Sequence, residues 1–254
     1  MKKIKDVLNK FEENLKSIDQ LGEIGSDVGG ILLEILTDLK YKNKDSEGFK
    51  PYKDNLDKAI EMVKNIKDHD ILKEKYQIIY NQSVILVVAA FESFMNELVR
   101  DLIDFYPEII EWPEKKQVSF DPNILKYSSP SLGSLIVKSL LVKKYNFQDL
   151  KSVLDFLKDY LKIDVKLDDN LKDKLIKYAA LRHVIIHNSA KIDEKFIKQI
   201  REISYKDDYK IDDDVKLSGK DYKEVRSCFL QLAKKIVSEI EKLKINLFSQ
   251  KKVL

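Results

Sequence analysis

Arg182-His183-Val184-Ile185-Ile186-His187-Asn188 holds two of the chain's three histidines and one of its four arginines, the others being Arg100, Arg201 and Arg226. Elsewhere lysine carries the positive charge, so a guanidinium here points to a need for its geometry. Histidine titrates near neutrality and suits proton transfer. Arginine offers a planar fork that grips phosphate oxygens and keeps its proton. Together they supply what RNA cleavage without a metal requires: a base for the ribose 2'-OH, an acid for the leaving oxygen and a cation for the charged phosphorane. On a helix, His183 and His187 fall about 40° apart and one turn from each other, while Arg182 and His187 differ by about 140°. One helix alone does not aim both groups at one atom. The spacing therefore predicts a composite site, completed by a second copy of the helix packed across a two-fold axis. Asn188 would bind ribose or phosphate, or cap the helix end. Two other uses fit the same residues. His183 and His187 could ligate zinc from one helix face, although no His-Glu-x-x-His pattern or cysteine partner accompanies them and His69 is distant in sequence. The pair could also be purely structural.

The elements that must position these residues are helical. In 254 residues there are only 7 Gly and 5 Pro, with 44% hydrophobic and 35% charged residues, a composition that favours long helices around a real core. The net charge of +3 makes no polycation, so any nucleic-acid surface must be a local patch. A lone Cys228 excludes an internal disulfide and a multi-cysteine zinc site, and implies a reducing compartment. The first residues never reach the apolar run of a signal peptide. The most apolar stretch, Val84 to Phe91, is far shorter than the roughly 20 residues that span a bilayer. These features predict a soluble, cytoplasmic protein with no membrane segment.

Along the chain, Ile4, Val7, Leu8, Phe11, Leu15 and Ile18 mark an amphipathic helix over residues 2 to 20. Gly22, Gly25, Gly29 and Gly30 then predict a helix break or hinge. Helices are expected over 31 to 41 and 51 to 67, separated by a polar loop. A long helix follows from about Asp70 to Tyr106, ended by Pro107. In it, Glu92, Asn96 and Arg100 recur every four residues as a polar stripe. Residues 107 to 130, with Trp112, Pro113, Pro122 and Pro130, read as an inserted loop. Helical patterns resume over 131 to 145 and 147 to 161. Asp168 to Asn170 are placed to cap the helix that ends in the opening stretch. A short helix from 193 to 203 and a charged loop lead to Ser218-Gly219-Lys220-Asp221, a capping box for a last helix over 221 to 245. Residues 1 to 68 form an N-terminal helical extension, either appended to or packed into the unit formed by 69 to 254.

Arg182 to Asn188 resembles the Arg-polar-x-x-x-His signature of the HEPN superfamily (higher eukaryote and prokaryote nucleotide-binding). Ser189 to Asp193, Ala89 to Phe94 and the closing long helix are similar to its prokaryotic members, and the resemblance spans residues 76 to 245. It implies an all-α, antiparallel helical bundle that dimerises through its motif helices and acts as a metal-independent endoribonuclease of the toxin or antiviral-defence kind. By position, Arg182 and His187 become the catalytic pair. His183 takes the polar place after the arginine, where asparagine or aspartate is more usual. Glu92 falls where relatives often carry an acidic residue on the neighbouring helix, and is expected to orient Arg182 or a histidine, or to form a buried structural salt bridge. The implied partners are RNA, a second copy of the chain, and an antitoxin or defence-system protein; no cofactor is implied. The alternative is a non-catalytic helical module that binds nucleotide, RNA or a partner protein through the same groove.

Overall fold

A computed structural model describes residues 2–42, 52–68, 73–110, 130–143, 145–201, 203 and 209–251. Among these the fold is all-α: α1 (Lys2–Lys42), α2 (Lys53–Asp68), α3 (Lys73–Phe105), a 3-10 turn (Pro107–Ile109), α4 (Leu132–Lys143), α5 (Leu150–Leu161), α6 (Asp169–His187), α7 (Glu194–Arg201) and α8 (Gly219–Lys251). The only extended pairing among the described residues is an isolated antiparallel bridge between Lys191 and Asp214.

Helix α3 is the axis of the packing and touches α1, α4, α6 and α8. Its buried side chains, among them Val84, Val87, Val88, Phe91, Met95, Leu98 and Leu102, come from nearly every side of the helix, as the run of apolar residues requires. Phe91 and Phe94 meet Phe11 of α1, the Phe11–Phe94 ring centroids lying 5.2 Å apart, and Phe91 meets Phe229 of α8 at 5.1 Å. The length and composition of Ile78–Phe105 are enough to cross a membrane, which the short run Val84 to Phe91 does not suggest. The structure buries much of that apolar surface against neighbouring helices. It also ties the polar Asn81 inward, its Nδ2 donating to the carbonyl of Val215 at 3.2 Å.

Two expected boundaries move. The glycine cluster does not break α1, which runs unbroken through Gly22 to Gly30, and none of the described glycines adopts a positive φ. Glycine lowers helix propensity by only about 1 kcal/mol per residue, which tertiary packing readily outweighs. The first half of α1 is well anchored: Ile4, Val7, Phe11, Leu15 and Ile18 join the common core. Asp19 accepts from Tyr222 Oη at 2.6 Å and pairs with Arg226 Nε at 3.0 Å on α8. The last helix is also longer than its periodicity suggests, continuing to Lys251. The polar loop before α2, His69 and the inserted segment 111–129 with Trp112 lie outside the described residues.

The expected caps are present. Asp168 accepts from Leu171 N at 2.9 Å at the start of α6, and Ser218 N donates to Asp221 Oδ2 at 2.8 Å at the start of α8. Asp168→Ala should therefore lower the stability of the chain by about 1 kcal/mol, read as a fall in the urea midpoint with an unchanged slope. Between these helices, Tyr178 Oη donates to Glu224 Oε2 at 2.6 Å and Lys174 Nζ lies 2.8 Å from Glu224 Oε1. These contacts fix α6 against α8 and so fix where the end of α6 points. At the far side of α3, α4 approaches so closely that a Cβ on Gly133 would sit 2.4 Å from the carbonyl oxygen of Arg100.

Candidate functional site

The last two turns of α6 present one face to the core through Ala180, Leu181, Val184 and Ile185. Arg182, His183 and His187 are thereby left toward the surface. Asn188 closes the helix: its backbone N–H donates to Val184 O at 2.9 Å and its side-chain Nδ2 donates to Lys191 O at 2.6 Å. Asn188 thus stands at the C-cap of α6, with its side chain bonded within the turn that follows. Ser189 and Ala190 follow in the left-handed region, with φ of 52° and 61°, a conformation that costs each residue roughly 1–2 kcal/mol. The return segment holds them there, with Val215 N donating to Ala190 O at 2.7 Å and Ile192 N to Asp213 O at 2.9 Å. This pinned turn sends the chain back along α6 as α7.

The two imidazoles meet as their spacing predicts, with ring centroids 4.6 Å apart and planes inclined by 45°. Lys195, from α7, brings Nζ to 3.4 Å from His183 Nε2. Burial holds the His183 imidazole below its ordinary pKa, and the nearby charges of Lys195 and His187 push it further the same way. The neutral ring is thus favoured at neutral pH, with a nitrogen lone pair available. Arg182 is half-buried, and its Nε is fully enclosed without a hydrogen-bond partner among the described residues.

Arg182, His183 and Lys195 line one cavity of about 280 Å³ with Asn146, Gln148 and Gln199, against an apolar wall that includes Leu150, Ile176 and Ala179. His187 is exposed and does not line it. A single chain therefore joins His183 to both Arg182 and His187, but does not bring Arg182 and His187 to one point.

Glu92 sits elsewhere than expected. Its Oε2 accepts from Gln148 Nε2 at 2.5 Å, and it forms no ion pair with Arg182 or a histidine among the described residues. Glu92 thus reaches the cavity by holding one of its lining amides. The polar stripe on α3 divides accordingly, Arg100 folding onto Asp101 with Nη2–Oδ1 at 2.8 Å. Among the described residues no group of three His, Cys, Asp or Glu side chains is arranged to hold a metal.

Sequence reasoning missed Lys195 and Gln148. A lysine two residues into a short helix carries no motif, and only the return of the chain at Ser189 and Ala190 places it on His183. What fold and site define is an all-α protein with an arginine, a lysine and two histidines gathered at the end of one helix, three of them around a cavity. No family model, curated protein or solved structure matches the chain, so the HEPN resemblance rests on the residues that carry it.

Proposed function

We propose that the chain is a cytoplasmic, metal-independent endoribonuclease of the HEPN kind, of the toxin or antiviral-defence type, built on the helical bundle of that superfamily and active as a homodimer. A histidine takes the proton from a ribose 2'-OH. The 2' oxygen attacks phosphorus and the bond from phosphorus to the 5' oxygen breaks. The leaving oxygen is protonated, and the products are a 2',3'-cyclic phosphate and a 5'-hydroxyl. Arg182 carries the charge of the phosphorane and His187 transfers a proton. The two-fold partner supplies the convergence of Arg182 and His187 that a single α6 lacks.

The observation that carries this proposal is the pairing of His183 and His187 within 4.6 Å beside an arginine whose Nε has no partner among the described residues. An arginine enclosed without an acceptor is one whose guanidinium is left for an incoming anion. A second function keeps one observation in its favour: His187 stands outside the cavity, as suits a non-catalytic module binding nucleotide, RNA or a partner protein through Arg182 and His183.

Incubating the purified chain with cellular RNA in EDTA separates the two. Cutting that persists under chelation and leaves cyclic phosphate ends is the expected result. Intact RNA, retained on the protein, would instead establish the binding module. Cutting lost on chelation would establish a metal-dependent enzyme.

A further inference from the structure

Neither Arg182 nor Lys195 takes part in an ion pair among the described residues. One carboxylate, Asp149, lines the cavity and a second, Asp193, lies near His183; each also accepts a backbone N–H at the start of its own helix. Asp149 accepts from Ser152 N at 2.9 Å, and Asp193 accepts from Phe196 N at 2.7 Å. In place of an anion, Lys195 meets an imidazole at 3.4 Å, and that imidazole already lies against a second one.

From these two unpaired cations on one cavity we propose that it is a phosphodiester site for single-stranded RNA, in which Lys195 is the second phosphate-binding cation beside Arg182. The choice of RNA as the source of the phosphate rests on the ribonuclease function proposed above. The geometry supports each part. Arg182 and Lys195 approach the cavity from different helices, α6 and α7, so an anion between them is held from two sides. A volume of about 280 Å³ is on the scale of one small ligand. It admits a nucleotide turned out of a strand and excludes a duplex, whose bases stay stacked. The apolar wall of Ile176, Ala179 and Leu150 gives the sugar or base a dry surface, and Gln148, steadied by Glu92, lies at the polar rim. When phosphate occupies the site, the Lys195 ammonium transfers its hydrogen bond to a phosphate oxygen. His183 Nε2 is then freed beside the scissile group.

Binding is measured apart from cutting with a 2'-O-methyl RNA octamer, which lacks the attacking hydroxyl, using fluorescence anisotropy on the full chain. Lys195→Gln should weaken binding by about tenfold or more, and Lys195→Arg should retain most of it, because the interaction is a charge-assisted hydrogen bond to phosphate. Lys198→Gln, on the same helix but outside the cavity, should change binding by less than about twofold. Thermal melting should be unaltered in all three. Inorganic phosphate, titrated against the His183 ring resonances, tests the anion alone: it should raise the His183 titration midpoint in the unmodified chain and not in Lys195→Gln. Octamer binding equal in Lys195→Gln and the unmodified chain would overturn the proposal, as would an equal loss in Lys198→Gln. If Lys195→Gln loses binding while ordinary RNA is never cut, the site stands and the ribonuclease function falls. If RNA is cut and Lys195→Gln both binds and cuts normally, this site alone is wrong.

Discussion

Arg182→Ala is expected to lower kcat/KM for RNA cleavage by about 10²–10³-fold while leaving thermal stability unchanged or slightly raised. The size of the loss follows from removing a preorganised cation aimed at charge that develops in the transition state. The stability outcome follows from the surroundings of the side chain. Its enclosed Nε has no acceptor among the described residues, and no ion pair there engages its charge, so the fold gains little from it. Arg182→Lys should recover only part of the activity, because a point charge cannot span two phosphate oxygens as the guanidinium fork does. His187→Ala should cost about 10²–10⁴-fold, the usual worth of a positioned proton-transfer group, again without loss of stability, since the ring is exposed. Single-turnover cleavage of a labelled RNA, set beside melting curves, reads both quantities. An Arg182→Ala chain that unfolds would show the residue to be structural, and one that cuts normally would remove it from the site.

The all-helical class was legible because helical periodicity is a local property: Ile4 to Ile18 and Val225 to Ile240 pattern their helices without reference to the rest of the chain. Caps were legible for the same reason, as at Asp168 and Ser218, where short side chains reach backbone groups three residues away. The glycine cluster at 22 to 30 misleads because its local weakness is overruled by the helix on either side. The motif could be read as far as one helix extends. The spacing of His183 and His187 gives their contact, but the position of Lys195 depends on two left-handed residues and on hydrogen bonds to the segment 212–215, and no spacing rule encodes these. Glu92 shows the same limit from the other direction. Its helix and its face were visible in the sequence, but its partner is decided by where the turn before α5 falls, and that turn delivers Gln148 instead of a charged residue of α6.

Phe91→Ala should destabilise the chain by about 3–5 kcal/mol, the largest loss expected of a single change away from the site. Phe91 is only 1% exposed, and its ring lies 6.1 Å from Phe11, 5.8 Å from Phe94 and 5.1 Å from Phe229, centroid to centroid. Truncation would therefore open a void where α1, α3 and α8 meet, and rings held from three helices cannot collapse into it together. Against a typical total of about 5–15 kcal/mol, the loss takes a large share of the stability, and for a chain of this size each kcal/mol lowers the melting temperature by roughly 2–4 °C. Phe91→Leu keeps most of the volume and should cost markedly less. The adjacent Glu92→Gln gives the contrast that separates scaffold from site. Its hydrogen bond to Gln148 is partly buried and can be remade by an amide, so stability should change by no more than about 1 kcal/mol, while the amide at the rim of the cavity is held less firmly. Urea denaturation of the three variants measures the difference directly. A Phe91→Ala loss below about 1 kcal/mol would mean that α3 is not the axis on which α1 and α8 are packed. The placement of α6, and with it the arrangement of Arg182, His183 and Lys195, would then need a different support.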